Sequence, residues 1–433
     1  MYGLDRIREV ATRDSTVRFT SLMHHITVDL LRAGYYALKR NAATGVDHVT
    51  WYGYGEDLES RITDLHGRVQ SGRYRVRPSK RIWIPKPDGR QRPIGIAALE
   101  DKIVQQSVAW ILEQIYEQDF RGFSYGFRPG RSPHKALDAI WVGITQRKVN
   151  WVLDADIRSF FDTISHAWLM KFLERRIADS RMLRLIRKWL RAGVSEDGEW
   201  SKTAVGTPQG SGISPLLSNI YLHYVLDEWV SDWRKKQAHG EVIIVRYADD
   251  YVMGFQYRDE AERFVHYGLD LHSEKTRLIE FGRFAAADRA ARGEGHPEMF
   301  DFLGFTHMCS CTRGDKRFTI RRKTIAKRLR GKLKEVRKEI MRKRHEPVAE
   351  QGRWLHGVVQ GHLNYFGVPG NSAALGAFRT EVTKAWFIAL RRRSQKAKRM
   401  TWHRMKRLIA AWIPSIKLQH THPYQRLHVS YPR

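Results

Sequence analysis

Cysteine is nearly absent from this chain. Only Cys309 and Cys311 occur in 433 residues, and their C-x-C spacing is too tight for an ordinary disulfide and leaves no second pair to complete a zinc site. A disulfide-stapled secreted scaffold and a structural zinc module are therefore excluded, and a reducing compartment is expected. No uninterrupted apolar stretch approaches the ~18 residues that a membrane span requires. Met1 to Thr20 carries charges of both signs and no apolar core, so no secretion signal is read there. Acidic residues are in deficit as well, with 46 Asp and Glu against 76 Lys and Arg and a formal net charge of +30. Such an imbalance implies a polyanionic partner, because each cation that neutralises a phosphate releases a counterion. What is present is enough for a real core: 42% of residues are hydrophobic, which excludes a disordered basic tail. A chain of 433 residues is expected to hold two or three domains, and no internal repeat of solenoid period is found.

Residues 1–75 read as helical and mixed in charge. Residues 81–84 and 92–96 read as strands around Pro85-Lys-Pro-Asp-Gly89, a turn in which Pro fixes φ and Gly accepts positive φ. The spacing of Ile103, Val104, Val108, Ile111, Leu112 and Ile115 predicts an amphipathic helix over 99–117. Residues 151–156 read as a strand ending in acids, and 166–192 as basic and helical. Residues 242–246 and 251–255 are two apolar strands joined by Tyr247-Ala-Asp-Asp250, a hairpin signal. Past about 310 the character changes. Ile325, Leu329, Leu333, Val336 and Ile340 mark one face of a long helix. Thirteen Lys or Arg lie from Arg321 to Arg344 against two acids, and nine lie from Arg391 to Arg407 against none. A boundary is expected near 308–320. The division is then an N-terminal helical extension at 1–80, an α+β core at 81–310 and a basic helical domain at 311–433.

The chemistry lies in two acidic clusters, Asp154-Ala-Asp156 with Asp162 after it, and Asp249-Asp250. Adjacent acids at a turn between apolar strands are costly unless something positive offsets them. Three readings stay open on the residues alone: Asp249 and Asp250 cap a surface turn, a Lys or Arg pairs with them, or they bind a divalent cation through hard oxygen ligands. A pair of ions ~3.5–4 Å apart, bridged by carboxylates of two strands, stabilises both oxygens of a phosphoryl transfer.

Tyr247-Ala-Asp-Asp250 resembles the Y-x-D-D box of reverse transcriptases. Asp156-Ile-Arg-Ser-Phe-Phe-Asp162 resembles the first catalytic motif of their group II intron branch, and Gly206-Thr-Pro-Gln-Gly210 with Ile213-Ser-Pro-Leu-Leu-Ser-Asn219 its Pro-Gln-Gly motif. Ile84-Pro-Lys-Pro-Asp-Gly89, Arg92-Pro-Ile-Gly-Ile96, Glu100-Asp-Lys-Ile-Val-Gln105 and Gly122-Phe-Ser-Tyr-Gly-Phe-Arg-Pro-Gly130 resemble further blocks in the same order. The resemblance, to a group II intron-encoded reverse transcriptase and maturase, implies a right-hand polymerase. Fingers and palm would be built on antiparallel sheet, followed by an α-helical thumb and maturase domain. It implies Asp156, Asp249 and Asp250 as catalytic residues holding two Mg²⁺ ions, with Mn²⁺ as a substitute, while Asp154 and Asp162 are structural. Phe161 falls where the family places the ring that excludes a ribose 2′-OH. Lys86 and Arg92, helped by Lys80 and Arg81, match cations that hold the triphosphate, and Gln209 matches a residue against template or nucleotide. Tyr247 and the turn Leu303-Gly304 of Asp301-Phe-Leu-Gly-Phe305 match primer and template contacts.

The C-terminal third resembles the thumb and maturase region through His362-Leu-Asn-Tyr-Phe-Gly367, Trp386, Trp402, Trp412-Ile-Pro414 and His422-Pro-Tyr424. Arg321, Arg322, Lys323, Arg391, Arg392 and Arg393 are implied RNA contacts, the aromatics either stacking bases or packing helices. The implied partners are intron RNA, a DNA primer or target DNA, and dNTPs, in a bacterial cytoplasm near the nucleoid. The Cys pairs and His cluster of the family's nuclease segment do not occur, so second-strand cleavage is not expected. The stretch 259–275 is about two helical turns shorter than this family's palm helix, which would weaken support of the site. Two other functions remain: a splicing cofactor with little polymerase activity, and a domesticated relative serving defence or a CRISPR array.

Overall fold

The computed structural model describes residues 3–85, 91–156, 160–196, 199–201, 211–267, 276–312 and 314–426. Helices α1 (Asp5–Arg13), α2 (Val28–Ala37), α3 (Trp51–Gly55) and α4 (Leu58–Gln70) open the chain. The hydroxyls of Thr27 and Thr50 cap α2 and α3 by accepting from the amides of Leu30 and Gly53. Strands β1 (Ser79–Pro85) and β2 (Gln91–Ile96) form the expected antiparallel hairpin, its turn lying outside the described residues. Next come α5 (Leu99–Asp119), α6 (Pro133–Gln146), β3 (Trp151–Asp156), α7 (Phe160–Thr163), α8 (His166–Glu174) and α9 (Ser180–Arg191). Short strands β4 (Val194–Glu196) and β5 (Glu199–Ser201) follow. Helix α10 (Ser214–Leu222) runs through a π-helical turn at His223–Asp227 into α11 (Glu228–Lys236). The hairpin β6 (Val242–Tyr247) and β7 (Asp250–Phe255) leads to α12 (Arg258–Tyr267), β8 (Arg277–Glu280) and α13 (Ala285–Ala291). Of the stretch expected to be short, residues 268–275 lie outside the described residues. Strands β9 (Phe300–Phe302), β10 (Phe305–Cys311) and β11 (Phe318–Thr324) precede α14 (Ala326–Arg342), α15 (Val348–Phe366), α16 (Ser372–Arg391), α17 (Trp402–Trp412) and α18 (Pro423–Arg426).

Among the described residues the strands form three sheets, ordered β6-β7-β3-β8, β2-β1-β4-β5 and β11-β10-β9. The first is antiparallel throughout and buried on both faces. Leu153, Ala155, Val242, Ile244, Met253 and Phe255 turn into one core with the N-terminal helices, α5 and α8–α11. Val152, Ile243, Val245, Val252 and Ile279 turn into a second core with α6 and β9–β11. Period-two alternation across a sheet covered on both sides gives continuous apolar runs, which is how β6 and β7 read. Helix α5 is the centre of the first core and not a surface helix: Asp101, Gln105 and Ser107 are buried beside its apolar residues. Inside, Asp101 accepts from the Tyr74 hydroxyl and the Arg77 amide, and burial pushes its carboxyl up to about 6.

A third core joins α14–α17 around the fully buried Trp386, whose indole N–H donates to Gln351 Oε1 at 3.0 Å. This ring packs helices. The boundary expected near 308–320 falls inside the β10–β11 hairpin, which stays paired from Phe305↔Thr324 to Cys311↔Phe318. Ile320 of β11 belongs to the second core, and the Trp141 indole of α6 donates to its carbonyl at 3.1 Å. The helical part therefore starts at Ala326.

His307 of β10 is fully buried and lies flat on Phe300, with ring centres 4.7 Å apart. Burial, with the Arg322 charge beside it, lowers its imidazole from 6.5 to about 3. Below about 6.5 the unfolded chain takes up a proton that the native chain refuses. The stability this group leaves intact above 6.5 is thus lost by about 1.4 kcal/mol per pH unit as pH falls toward 3. His307→Phe is expected to remove that slope. In urea unfolding, the stability difference between variant and natural chain should grow in the variant's favour as pH drops below 6.5; a difference independent of pH refutes the assignment.

Candidate active site

Register brings the two acidic clusters together. Strand β3 pairs with β7 so that Asp156 stands opposite Asp250, and Asp250 also pairs with Tyr247 across the β6–β7 hairpin. Directly opposed residues on antiparallel strands have Cα atoms about 4.5–5.5 Å apart and side chains on one face. Asp250 and Tyr247 thus share the face turned to the second core, at the strand ends where that core stops, and Asp156 is the β3 register partner of Asp250. Between Tyr247 and Asp250 the turn is two residues long, Ala248 and Asp249, with Ala248 at φ 59°. Asp249 is half-buried and Asp250 exposed. Asp154 lies on the same face but pairs with Arg277 of β8, 3.8 Å away. The side chains of Asp156, Phe161 and Asp162, and all of Lys86 and Gln209, lie outside the described residues.

Beneath the turn sits a residue whose sequence context gave no sign of its role. Arg246 is completely buried and uses all of its guanidinium donors. Nε and one terminal nitrogen donate to the two carboxylate oxygens of Asp227 at 2.7 and 2.6 Å. The remaining bonds reach Asn219 Oδ1 at 3.1 Å, Ser124 Oγ at 2.7 Å and the Ala248 carbonyl at 3.0 Å. Asp227 is supplied by the π-helical turn, a local widening that often marks functional sites. Arg246 also exchanges backbone bonds with the loop before α6, from its amide to Phe123 O and from the Tyr125 amide to its own carbonyl. Asn219 Nδ2 donates to Gly126 O at 2.7 Å. Gly126 has no room for a side chain, since a Cβ there would lie 2.3 Å from the Ala248 amide nitrogen. Three separated motifs, Gly122–Gly130, Ile213–Asn219 and Tyr247–Asp250, therefore meet on one guanidinium.

On the β1–β2 hairpin, register places Arg92 opposite Ile84 and Lys80 opposite Ile96, so both project from one face. Arg81 projects from the other, where it pairs with Glu196 at 3.5 Å. Tyr247 is half-buried, and burial pushes its hydroxyl up. The turn Leu303–Gly304 has φ of 47° and 85°, the left-handed pair that a two-residue hairpin needs. Helix α15 and the start of α14 hold it: the Tyr365 hydroxyl donates to Leu303 O at 2.9 Å and the Ile325 amide to Gly304 O at 3.1 Å. Among the C-terminal cations, Arg321, Lys323, Arg391 and Arg392 are exposed and Arg393 is half-buried. Arg322 corrects the expectation of an RNA contact. It is 1% exposed and paired with Asp138 of α6 at 3.0 Å, and Asp138 is also bound by Arg426. A guanidinium so enclosed cannot reach a phosphate.

Among the described residues, which leave out the Asp156 side chain, no group of three His, Cys, Asp or Glu forms a metal site. Asp249 and Asp250 at this turn are carboxylate oxygen donors, of the kind that suits a hard divalent cation.

Residues 84–307 match the family described as reverse transcriptase (RNA-dependent DNA polymerase). The chain is 36% identical over 278 residues to Protein YkfC of Escherichia coli (strain K12), covering 56% of this chain and 72% of that protein. It is 36% identical over 241 residues to the group II intron-encoded protein LtrA of Lactococcus lactis subsp. cremoris, covering 54% of this chain and 39% of LtrA. It is 33% identical over 108 residues to the mitochondrial nuclear intron maturase 2 of Arabidopsis thaliana, covering 24% of this chain and 14% of that protein. The chain thus spans well under two thirds of the intron-associated relatives.

Arg246→Met leaves Asp227 charged and unpaired in the interior, and is expected to lower the unfolding free energy by about 3–5 kcal/mol. Exchanging both partners for apolar residues should recover much of that loss. Urea denaturation of the two variants decides; equal stabilities would mean that the pair is not what the fold relies on.

Proposed function

The chain belongs to the reverse transcriptase (RNA-dependent DNA polymerase) family, and on that premise we propose that it copies RNA into DNA and binds a group II intron RNA to assist its splicing and mobility. The observation that carries this reading is the strand register that sets Asp156 opposite Asp250 with Asp249 in the adjoining turn. In this reading the β1–β2 hairpin and the helices around it are the fingers, the central sheet is the palm, and the helices from α14 onward are the thumb and maturase region.

Asp156, Asp249 and Asp250 would hold two Mg²⁺ ions, with Mn²⁺ as a substitute. Once bound, these offset charge on the attacking and leaving oxygens. The chain's own residues bind and orient. Lys86 and Arg92, helped by Lys80, draw in the triphosphate. Phe161 blocks a ribose 2′-OH, and Gln209 lies against template or nucleotide. Tyr247 and the Leu303–Gly304 turn seat the primer end. Arg246 fixes the turn that carries Asp249, so that positioning and electrostatics, and no general base, lower the barrier. Exposed Arg321, Lys323, Arg391 and Arg392, with Arg393, neutralise RNA phosphates. The intron-encoded and maturase names of the relatives support an intron RNA as that partner, with a DNA primer or target DNA as the strand extended.

The test is dNTP incorporation on a primed RNA template with Mg²⁺, comparing the natural chain with Asp249→Ala. Incorporation should fall by about 10²-fold or more, the scale for losing one charge-stabilising group. A natural chain that binds RNA tightly and salt-sensitively but extends nothing would instead support a splicing cofactor.

A further inference from the structure

Non-glycine residues with positive φ are few, and three of the five in the described residues, Phe127, Ala248 and Leu303, sit in the turns around the carboxylate cluster. Ala248 and Leu303 belong to tight hairpins that demand this backbone. Phe127 does not. It lies in the loop before α6, at φ 55°, a conformation that a bulky side chain adopts only when its surroundings impose it.

The surroundings do impose it. On one side, Gly126 is pressed against the Ala248 amide and its carbonyl is held by Asn219. On the other, Arg128 is nearly buried. It donates to Glu117 at 2.9–3.1 Å and to the Arg121 and Ser124 carbonyls at 2.8 Å. Both flanks are fixed, yet the ring between them is not used for packing. Phe127 is 53% exposed, and its aromatic neighbour among the described residues is Tyr247, with ring centres 6.3 Å apart and planes at 45°. An apolar ring has been placed in solvent, on a rigid loop, beside the turn that bears Asp249.

We propose that Phe127 is a nucleobase-stacking residue of the candidate active site, its ring and that of Tyr247 forming one aromatic wall of the cleft. This rests on the polymerase reading above. A base is the ligand because every base offers a π-face to an exposed ring, and the +30 chain draws in a polyanion that carries such faces. The base belongs either to the primer–template or to the incoming dNTP, and the two sources separate by measurement.

The variant that distinguishes binding from folding is Phe127→Gly, because glycine accepts φ 55° without strain. If the ring were structural, its removal would lower the melting temperature. Under the proposal the melting temperature is unchanged or raised, while the ligand is lost. Kd for a primer–template should weaken about 5- to 150-fold, the range for one stacked base, and Phe127→Trp should bind like the natural chain. If the base is that of the dNTP, the loss moves to KM for dNTP with Kd for primer–template unchanged. Replacing single bases of the primer–template by abasic sites should weaken the natural chain at one position and leave Phe127→Gly unaffected there. Natural Kd and KM in Phe127→Gly, or a loss that accompanies a lower melting temperature, overturns the proposal. Extension by the natural chain and its loss in Asp249→Ala are read in parallel. A failed polymerase reading thus appears in those two proteins, and a failed stacking role only in the Phe127 variants.

Discussion

A single buried ion pair, Arg246 with Asp227, governs the geometry of the Tyr247–Asp250 turn. Taking both charges out of water costs several kcal/mol per ion, which the pair recovers only if its bonds are well formed and its remaining donors are satisfied. Here they are, with two bonds to Asp227 and one each to Asn219, Ser124 and the Ala248 carbonyl. That requirement acts as a constraint on four segments of chain at once. The turn cannot shift without freeing a donor, and neither can the loop holding Ser124, the helix holding Asn219 or the π-helical turn holding Asp227. A cluster of carboxylates that must present oxygens in fixed positions needs this kind of support from below, because the carboxylates repel one another and give no rigidity of their own.

The central sheet supplies the second constraint. With both faces covered, each strand is held in register by side chains in two cores, and a slip by one residue would exchange those cores. The opposition of Asp156 and Asp250 is thus as firm as the packing of Leu153, Val152, Val252 and Met253 behind them. Charge is tolerated at the strand ends because there the covering layer stops and Asp250 reaches solvent.

Much of this was legible in the residues. The hairpin around Tyr247–Asp250 announces itself by two apolar runs and a short polar turn, the strand at 151–156 by its composition, and α5 by its period. What stayed hidden was pairing over distance. Arg246 reads as one more cation at the end of an apolar strand in a basic chain, and its side-chain partners lie 19, 27 and 122 positions away. Arg322 misleads for the same reason. It sits in a run of cations that reads as an RNA-binding surface, but alternation on β11 turns it inward, where Asp138, 184 positions earlier, awaits it. The change of charge near 308–320 reads as a domain boundary, yet the hairpin carrying it is held to α6 by Ile320 and Trp141. Charge composition reports the surface, and a boundary is decided by the core.

The same pairing settles how the basic third relates to the carboxylates. Tyr365 and the Ile325 amide hold the Leu303–Gly304 turn, His134 of α6 bonds the Tyr365 carbonyl at 2.8 Å, and Arg426 returns to Asp138. These contacts bind the C-terminal helices to the second core, the core against which Tyr247 also packs. The exposed cations at Arg321 and Lys323 therefore stand on a strand whose other side is fastened beneath the face that carries Tyr247 and Asp250. A polyanion drawn to that strand is attracted to a surface anchored, through buried bonds, to the carboxylate site. The net charge of +30 is thereby not a diffuse property of the chain: part of it is fixed in position relative to Asp249 and Asp250.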